Sequence, residues 1–351
     1  MARFKKGLGI LLAAALSIAP ASAFYAEDTS NAAAIDKEAF DALLASGDVA
    51  DADDIAENKW ASAVKEAGVL RVGGVRTSFL FSQLDETDDG LRGFDAGLFQ
   101  LLARYILGDE SAYELTQVDS STRESVLQGG QVDCVFATYS ITDSRKEVIS
   151  FAGPYYTSRQ AVLVKAGNKD ISGVDDLGGK IVATQAGSTG PDILAEYAPE
   201  DVEIEEFETD QEARTALEQG RVDAYVTDYT LLLSAIVKNP DTYEIAGDQF
   251  GPEDNYGVGL PLDSDGTVFV NDFLEDVIED GTWEQLWQIC LGDRTGIDKA
   301  PAAPIVGDDD DDGDDCVIRR GFLPAADNLC RRDIISLSPE QNADLPPEFR
   351  A

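Results

Sequence analysis

An arginine, an aspartate and several hydroxyls stand just beyond short apolar runs in this sequence, and together they suit a small zwitterion. Arg145, in Ile-Thr-Asp-Ser-Arg, can grip a carboxylate through two parallel hydrogen bonds. Ser188 and Thr189 precede a helix expected near Pro191, where hydroxyls and free N–H groups accept the same kind of anion. Asp228 follows Val-Asp-Ala-Tyr-Val-Thr and offers the countercharge for an ammonium. Thr138 and Ser140 add short, directed hydrogen bonds. Plainer roles are open to each: a solvated helix residue for Arg145, helix caps for Ser188 and Thr189, a strand-end turn for Asp228. What raises them together is position. In open parallel sheets the loops after the strands form the binding crevice.

The elements that would position these residues alternate between strand and helix. Val69 to Gly74, Val132 to Ala137, Lys180 to Thr184 and Val222 to Thr227 read as strands, and Phe94 to Ile106 as a helix. Thr122 to Leu127 reads as a short helix entered by Ser121, with Glu124 completing a capping box. Alternation of this kind predicts α/β layers with largely parallel sheets. The loop after the first strand carries Arg76, Ser78, Phe79 and Phe81. One unit recurs: Leu-Gln-Gly-Gly-Gln-Val-Asp at 127–133 and Leu-Glu-Gln-Gly-Arg-Val-Asp at 217–223, each a helix end, a glycine stop and a strand. Two copies suggest two similar lobes, with Thr138 equivalent to Asp228.

Bulk properties narrow the field. Asp and Glu number 67 against 27 Lys and Arg, a formal net charge of −40, so nucleic acid is not an expected partner. Histidine is absent, which excludes Ser-His-Asp and Cys-His catalysis and His-ligated zinc. At the N-terminus, Arg3, Lys5 and Lys6, the apolar run Leu8 to Ala19 and Ala21-Ser22-Ala23 read as a cleaved secretory signal, so a periplasmic location is expected. Residues 24–59 read as a mobile acidic leader, with Ala39 to Leu44 able to start a helix. Beyond 299 lies an acidic tail in which Cys316 and Cys330 could close a loop, while Cys134 reads as a buried thiol. Asp308 to Asp312 imitates the opening of a calcium loop, but its twelfth position would be Arg319, not the glutamate such a loop needs. A solvated acidic run accounts for it, and no metal or cofactor is expected.

Four segments carry a resemblance: LRGFDAGLFQLLA, VDCVFATYSITDSRKEVISFAGPYYTS, DDLGGKIVATQAGST and GRVDAYVTDY. In them the stretch from Trp60 to about Leu291 is similar to family 3 of the bacterial extracellular solute-binding proteins, which serve polar amino-acid ABC transporters. The resemblance implies a two-lobed periplasmic-binding-protein (type II) fold with two strand-like hinges. Lobe 1 would be 60–158 and 250–298, and lobe 2 would be 159–249. It also implies that Arg145, with Ser140 and Thr189, holds the ligand's α-carboxylate and that Asp228 holds its ammonium. Arg123 stands at a helix start as in members resembling glutamate/aspartate binders, so a side-chain carboxylate would suit Arg123 and, from loop position alone, Arg76. Glutamine or asparagine stays open as the ligand. The expected partners are a free amino acid and a membrane permease, with the chain working as a monomer and without catalysis. An enzyme of prephenate or arogenate dehydratase type on the same fold is the alternative.

Overall fold

The computed structural model describes residues 34–307. The signal segment, Cys316, Cys330 and the Asp308 to Asp312 run lie outside the described residues. The body is built on one sheet of eight strands in the order β5-β1-β6-β11-β7-β10-β8-β9. At one end β1 (Leu70–Gly74) pairs in parallel with β5 (Tyr113–Gln117) and β6 (Cys134–Phe136). At the other, β8 (Ile181–Gln185) pairs in parallel with β9 (Glu203–Phe207) and β10 (Ala224–Asp228). Two long antiparallel strands, β7 (Ser150–Lys165) and β11 (Tyr243–Leu260), join these halves. A small antiparallel ribbon, β2 (Thr77–Ser78), β3 (Ser82–Asp85) and β4 (Gly90–Arg92), follows β1.

Each half carries its own helices, with Leu231 and Leu233 of the second half also touching the first half's cluster. On the first lie α3 (Lys59–Ala67), α4 (Phe94–Leu107), α5 (Arg123–Gln128), α6 (Asp143–Lys146), α10 (Gly266–Glu279) and α11 (Thr282–Trp287). Helix α11 runs through a π-helical turn into α12 (Asp293–Thr295). The second half carries α7 (Gly190–Tyr197), α8 (Asp210–Glu218) and α9 (Tyr229–Lys238). Separate apolar clusters fill the two, one around Phe81, Phe94, Phe99 and Trp287, another around Leu163, Leu217 and Tyr225. Distinct cores are what let two lobes move as bodies.

The repeated unit is a true structural repeat. Gly130 and Gly220 take left-handed φ of 63° and 70°, ending the helix and turning the chain into the next strand. The aspartates that follow do the same work in both lobes. Asp133 Oδ2 accepts from Arg71 N at 2.8 Å, and Asp223 Oδ2 accepts from Ile181 N at 2.9 Å. Each carboxylate thus satisfies an N–H at the start of the neighbouring parallel strand.

Two expectations need correction. Residues 34–59 are not a detached leader: α1 (Lys37–Ser46) and α2 (Ala52–Glu57) pack on the first lobe, burying Phe40, Leu43, Leu44 and Ile55 in its core. The acidic residues that suggested a mobile segment occupy the outer face. Nor does Glu124 form a capping box. Thr122 is the N-cap of α5 without a side-chain cap bond, and Glu124 reaches elsewhere. Cys134 is buried as expected; it and Cys290 are free thiols.

Candidate functional site

Strand ends and hinge strands bring two polar clusters to the junction of the lobes. The first is cationic. Arg145 sits in the single turn α6, which Thr142 caps, and is 8% exposed. Its Nη1 donates to Ser140 O at 2.7 Å, and its Nε faces Glu124 Oε1 at 3.5 Å. Glu124 also accepts from the Tyr139 hydroxyl at 2.6 Å. Arg123, 3% exposed at the start of α5, lays its guanidinium 3.9 Å from the centre of the Tyr139 ring and donates Nη1 to Ala137 O. Its Nε has no partner. Burial, then the nearby charge of Arg145, lowers the Arg123 pKa to about 10.

Asp95 shapes the loop between these arginines. This wholly buried carboxyl, in the first turn of α4, accepts from Thr138 N and from the Tyr155 hydroxyl, both at 2.9 Å. Thr138 takes φ of 43°, an uncommon conformation for a β-branched residue, and its hydroxyl donates to Ala137 O. Ser140, 4% exposed, makes a backbone bridge to Tyr256 on β11. Thr138 and Ser140 are thus set by backbone geometry at the junction.

The second cluster is anionic. Asp228 ends β10 and caps α9, but its carboxylate makes no cap bond. It accepts instead from Gln160 Nε2 on β7 and from the Tyr256 hydroxyl on β11. Asp254, also on β11, lies within hydrogen-bonding reach of Asp228. Thr189 Oγ1 donates to Asp254 Oδ2 at 3.2 Å. Burial, then the charge of Asp254, pushes the Asp228 carboxyl well above the usual carboxylate range.

The loop 186–189 touches both clusters. Arg145 Nη2 donates to Gly187 O at 2.9 Å, while Thr189 donates to Asp254. Gly187 also lies against Ser120 and Ser121 of the first lobe, with φ of 71°. Ser188 takes the plainer role: its hydroxyl donates to Gln185 O at 2.6 Å and accepts from Gly190 N, closing a turn. Arg123, Thr138, Ser140, Arg145, Thr189 and Asp228 are therefore assembled at one junction. Arg76 is not among them. Its guanidinium donates to Leu115 O on the edge strand and lines a surface recess with Asp41, Arg92 and Tyr113. Loop position located its backbone but not the direction of its side chain.

Gln160 and Asp254 of the junction went unread in the sequence, and Glu124 was read only as a helix cap. The hinge strands were not recognised as carriers of site residues. The usable signal was alternation, since Asp254 and Tyr256 are two apart and share one face of β11.

Chemically, the junction can take a small molecule with an anionic and a cationic end. Among the described residues no helix is long and apolar enough to cross a membrane. Known proteins agree in kind. The glutamine-binding protein GlnH of an ABC transporter from Bacillus subtilis (strain 168) is 32% identical over 229 residues, 65% of this chain and 82% of that protein. The glutamate-binding protein GluB of Corynebacterium glutamicum is 32% identical over 225 residues, 61% of this chain and 76% of that one. In structure, a solute receptor for L-cysteine from Neisseria gonorrhoeae superposes with a TM-score of 0.64 at 25% identity, covering 69% of this chain and 97% of the receptor. Homologues of this kind are amino-acid-binding components of ABC transporters, and the two-lobed type II fold is shared with them. The family described as bacterial extracellular solute-binding proteins, family 3, matches residues 70–292, and this chain belongs to it.

Proposed function

We propose that this protein captures a free amino acid between its lobes outside the cytoplasm and presents it to the permease of an ABC transporter. The observation that carries the reading is a buried arginine, Arg145, and a buried aspartate, Asp228, at one junction: loop 186–189 accepts from Arg145 through Gly187 and reaches Asp254, the neighbour of Asp228, through Thr189. Arg145, with Ser140 and Thr189, takes the α-carboxylate; Asp228 takes the ammonium. We place the lobes at 60–158 with 250–298 and at 159–249, hinged where β7 and β11 pair. Ligand closes the hinge only through contacts better made in the closed form.

For the side chain we favour glutamate or aspartate. Support comes from Arg123, whose buried Nε lacks a partner and could meet a second carboxylate. Relatives of both kinds are found, glutamine binders at 32% and 38% identity and glutamate binders at 31% and 32%, so the acidic side chain rests on Arg123 and not on them. A thermal-shift screen of the twenty amino acids tests the reading, because a ligand of the folded state raises the melting temperature. Acidic amino acids should give the largest shifts, and Arg145→Ala should remove them. A flat response to every amino acid would refute it.

A further inference from the structure

Zwitterion capture by Arg145 and Asp228 leaves Asp254 unused, although its carboxylate lies within hydrogen-bonding reach of Asp228. Asp254 comes from a hinge strand, directly opposite Ser158 and beside irregularities in the β7–β11 pairing. Such bulges re-aim side chains, here turning an acidic one toward the junction. A half-buried aspartate against a fully buried one would repel it unless something positive stands between them.

Gln160 supplies an independent pointer. It is 2% exposed, and its Nε2 binds Asp228 and reaches Thr189 Oγ1 at 3.5 Å. Two carboxylates thus stand together, and the amide that binds one of them keeps a buried acceptor oxygen without a partner. An ammonium has three N–H donors for such acceptors.

We propose that Asp254 is a second ammonium-binding residue, and that the ligand's ammonium docks between Asp228 and Asp254 and displaces the one proton those carboxyls share. The inference rests on the amino-acid-binding reading. The balance is simple. The empty pair holds a single proton and a single negative charge. Amino acid enters with its ammonium intact, both carboxylates become ionised, and the proton leaves to the solvent. The raised pKa of Asp228 fits an empty pair that keeps this proton. The other ionisable neighbours do not supply it. Tyr256 on β11 is a buried phenol held well above its ordinary range, Arg123 faces Asp254 from the first lobe as a cation, and Arg159 on β7 is paired with Glu253 at 3.1 Å. Thr189, just before α7, and Thr230 on α9 carry no charge. Affinity should therefore rise with pH until the pair loses its proton unaided.

Titration calorimetry at pH 7 in phosphate and in Tris, whose ionisation enthalpies differ, reads the proton directly. With L-glutamate and L-glutamine as probes, wild type should release about one proton per amino acid bound. Asp254→Asn should reduce that release to what the burial of Asp228 alone sustains, and bind about 10- to 100-fold more weakly. Asp254→Glu should recover part of both. Asp254 is half-buried, so the amide variant should fold, and its circular dichroism checks this. Wild type binding without proton release, or Asp254→Asn matching wild type in affinity and release, overturns the inference and leaves the binding function standing. Failure of both probes to bind wild type would instead defeat the functional reading, and the ammonium site with it.

Discussion

Arg145 donates Nη2 to the carbonyl oxygen of Gly187 at 2.9 Å, so the first lobe's buried guanidinium already holds the second lobe's loop. Its Nη1 is held by Ser140 O in the same way. One planar group thus ties a strand-end loop of each lobe, and the ligand's carboxylate would share or replace those carbonyls. Arg145→Ala should therefore cost every amino acid about 100-fold or more in affinity, since two charge-assisted hydrogen bonds are lost. Arg145→Lys should recover little, because an ammonium lacks the planar fork. Calorimetry across glutamate, glutamine and alanine checks both variants; near-normal affinity in Arg145→Ala would sink the assignment.

The aligned repeat made much of this legible. Glycine stops and a following aspartate at 127–133 and 217–223 located both parallel half-sheets and placed Thr138 and Asp228 at equivalent strand ends. Arg145 and Asp228 could be read because loop position after a strand fixes where a residue emerges. Arg76 shows the limit. It emerges from an equivalent loop, yet its side chain turns to Leu115 on the edge strand. Asp254 was hidden for another reason: with 67 acidic residues, one more in Pro-Glu-Asp-Asn marks nothing. Only the long β7–β11 pairing, set by contacts far apart in sequence, brings it to Asp228.

Arg123 tests the substrate. Buried against Tyr139 with an unpartnered Nε, it is available to a second carboxylate and of little use to an apolar side chain. Arg123→Met keeps the length and apolar stem of the side chain and removes the charge. The preference for glutamate over glutamine should fall about tenfold or more, while alanine binding changes little. Competition calorimetry gives the ratio. An unchanged ratio would make Arg123 a structural residue beneath the Ala137 carbonyl.

Gly187 tests closure. A methyl group there would stand 2.9 Å from Ser120 O and 3.0 Å from Ser121 Cα, across the junction, with φ of 71° besides. Gly187→Ala should hold the lobes apart and weaken ligand binding about tenfold, with a larger radius of gyration in solution scattering under saturating ligand. Gly130→Ala is the control. It carries similar backbone strain at φ of 63°, but its added methyl meets nothing within 4 Å. Equal effects from the two would show strain, not cleft contact, at work.

Phe40 tests whether the N-terminal helices belong to the fold. Its ring is 1% exposed in the first lobe's core, on the α1 segment whose sequence suggested mobility. Phe40→Ala should lower unfolding free energy by about 3 kcal/mol, the cost of an unfilled buried aromatic site. Denaturant titration measures it. A change below about 0.5 kcal/mol, typical of surface sites, would return this segment to the status of a leader.

Asp95 gives the stability a pH dependence of known sign. Burial holds its carboxyl up to about 7, against an ordinary value near 3.9, although Thr138 N and the Tyr155 hydroxyl both donate to it. The native state therefore keeps a proton that the unfolded chain has already lost over this interval. A raised carboxyl of this kind contributes fully below about pH 4 and is a growing liability as pH climbs to about 7, after which the loss is constant. Asp95→Asn removes the titration and keeps an acceptor for Thr138 N–H. The wild-type stability should thus fall relative to Asp95→Asn by up to about 4 kcal/mol between pH 4 and 7, then run parallel to it. Taking the difference cancels the exposed carboxylates, such as Asp88, whose pKa values are shifted the opposite way by arginine and backbone N–H groups. Urea titrations of both proteins at half-unit pH steps draw the two curves. Parallel curves across the whole interval would mean that Asp95 is ionised in the folded protein, held by its two donors against the cost of burial.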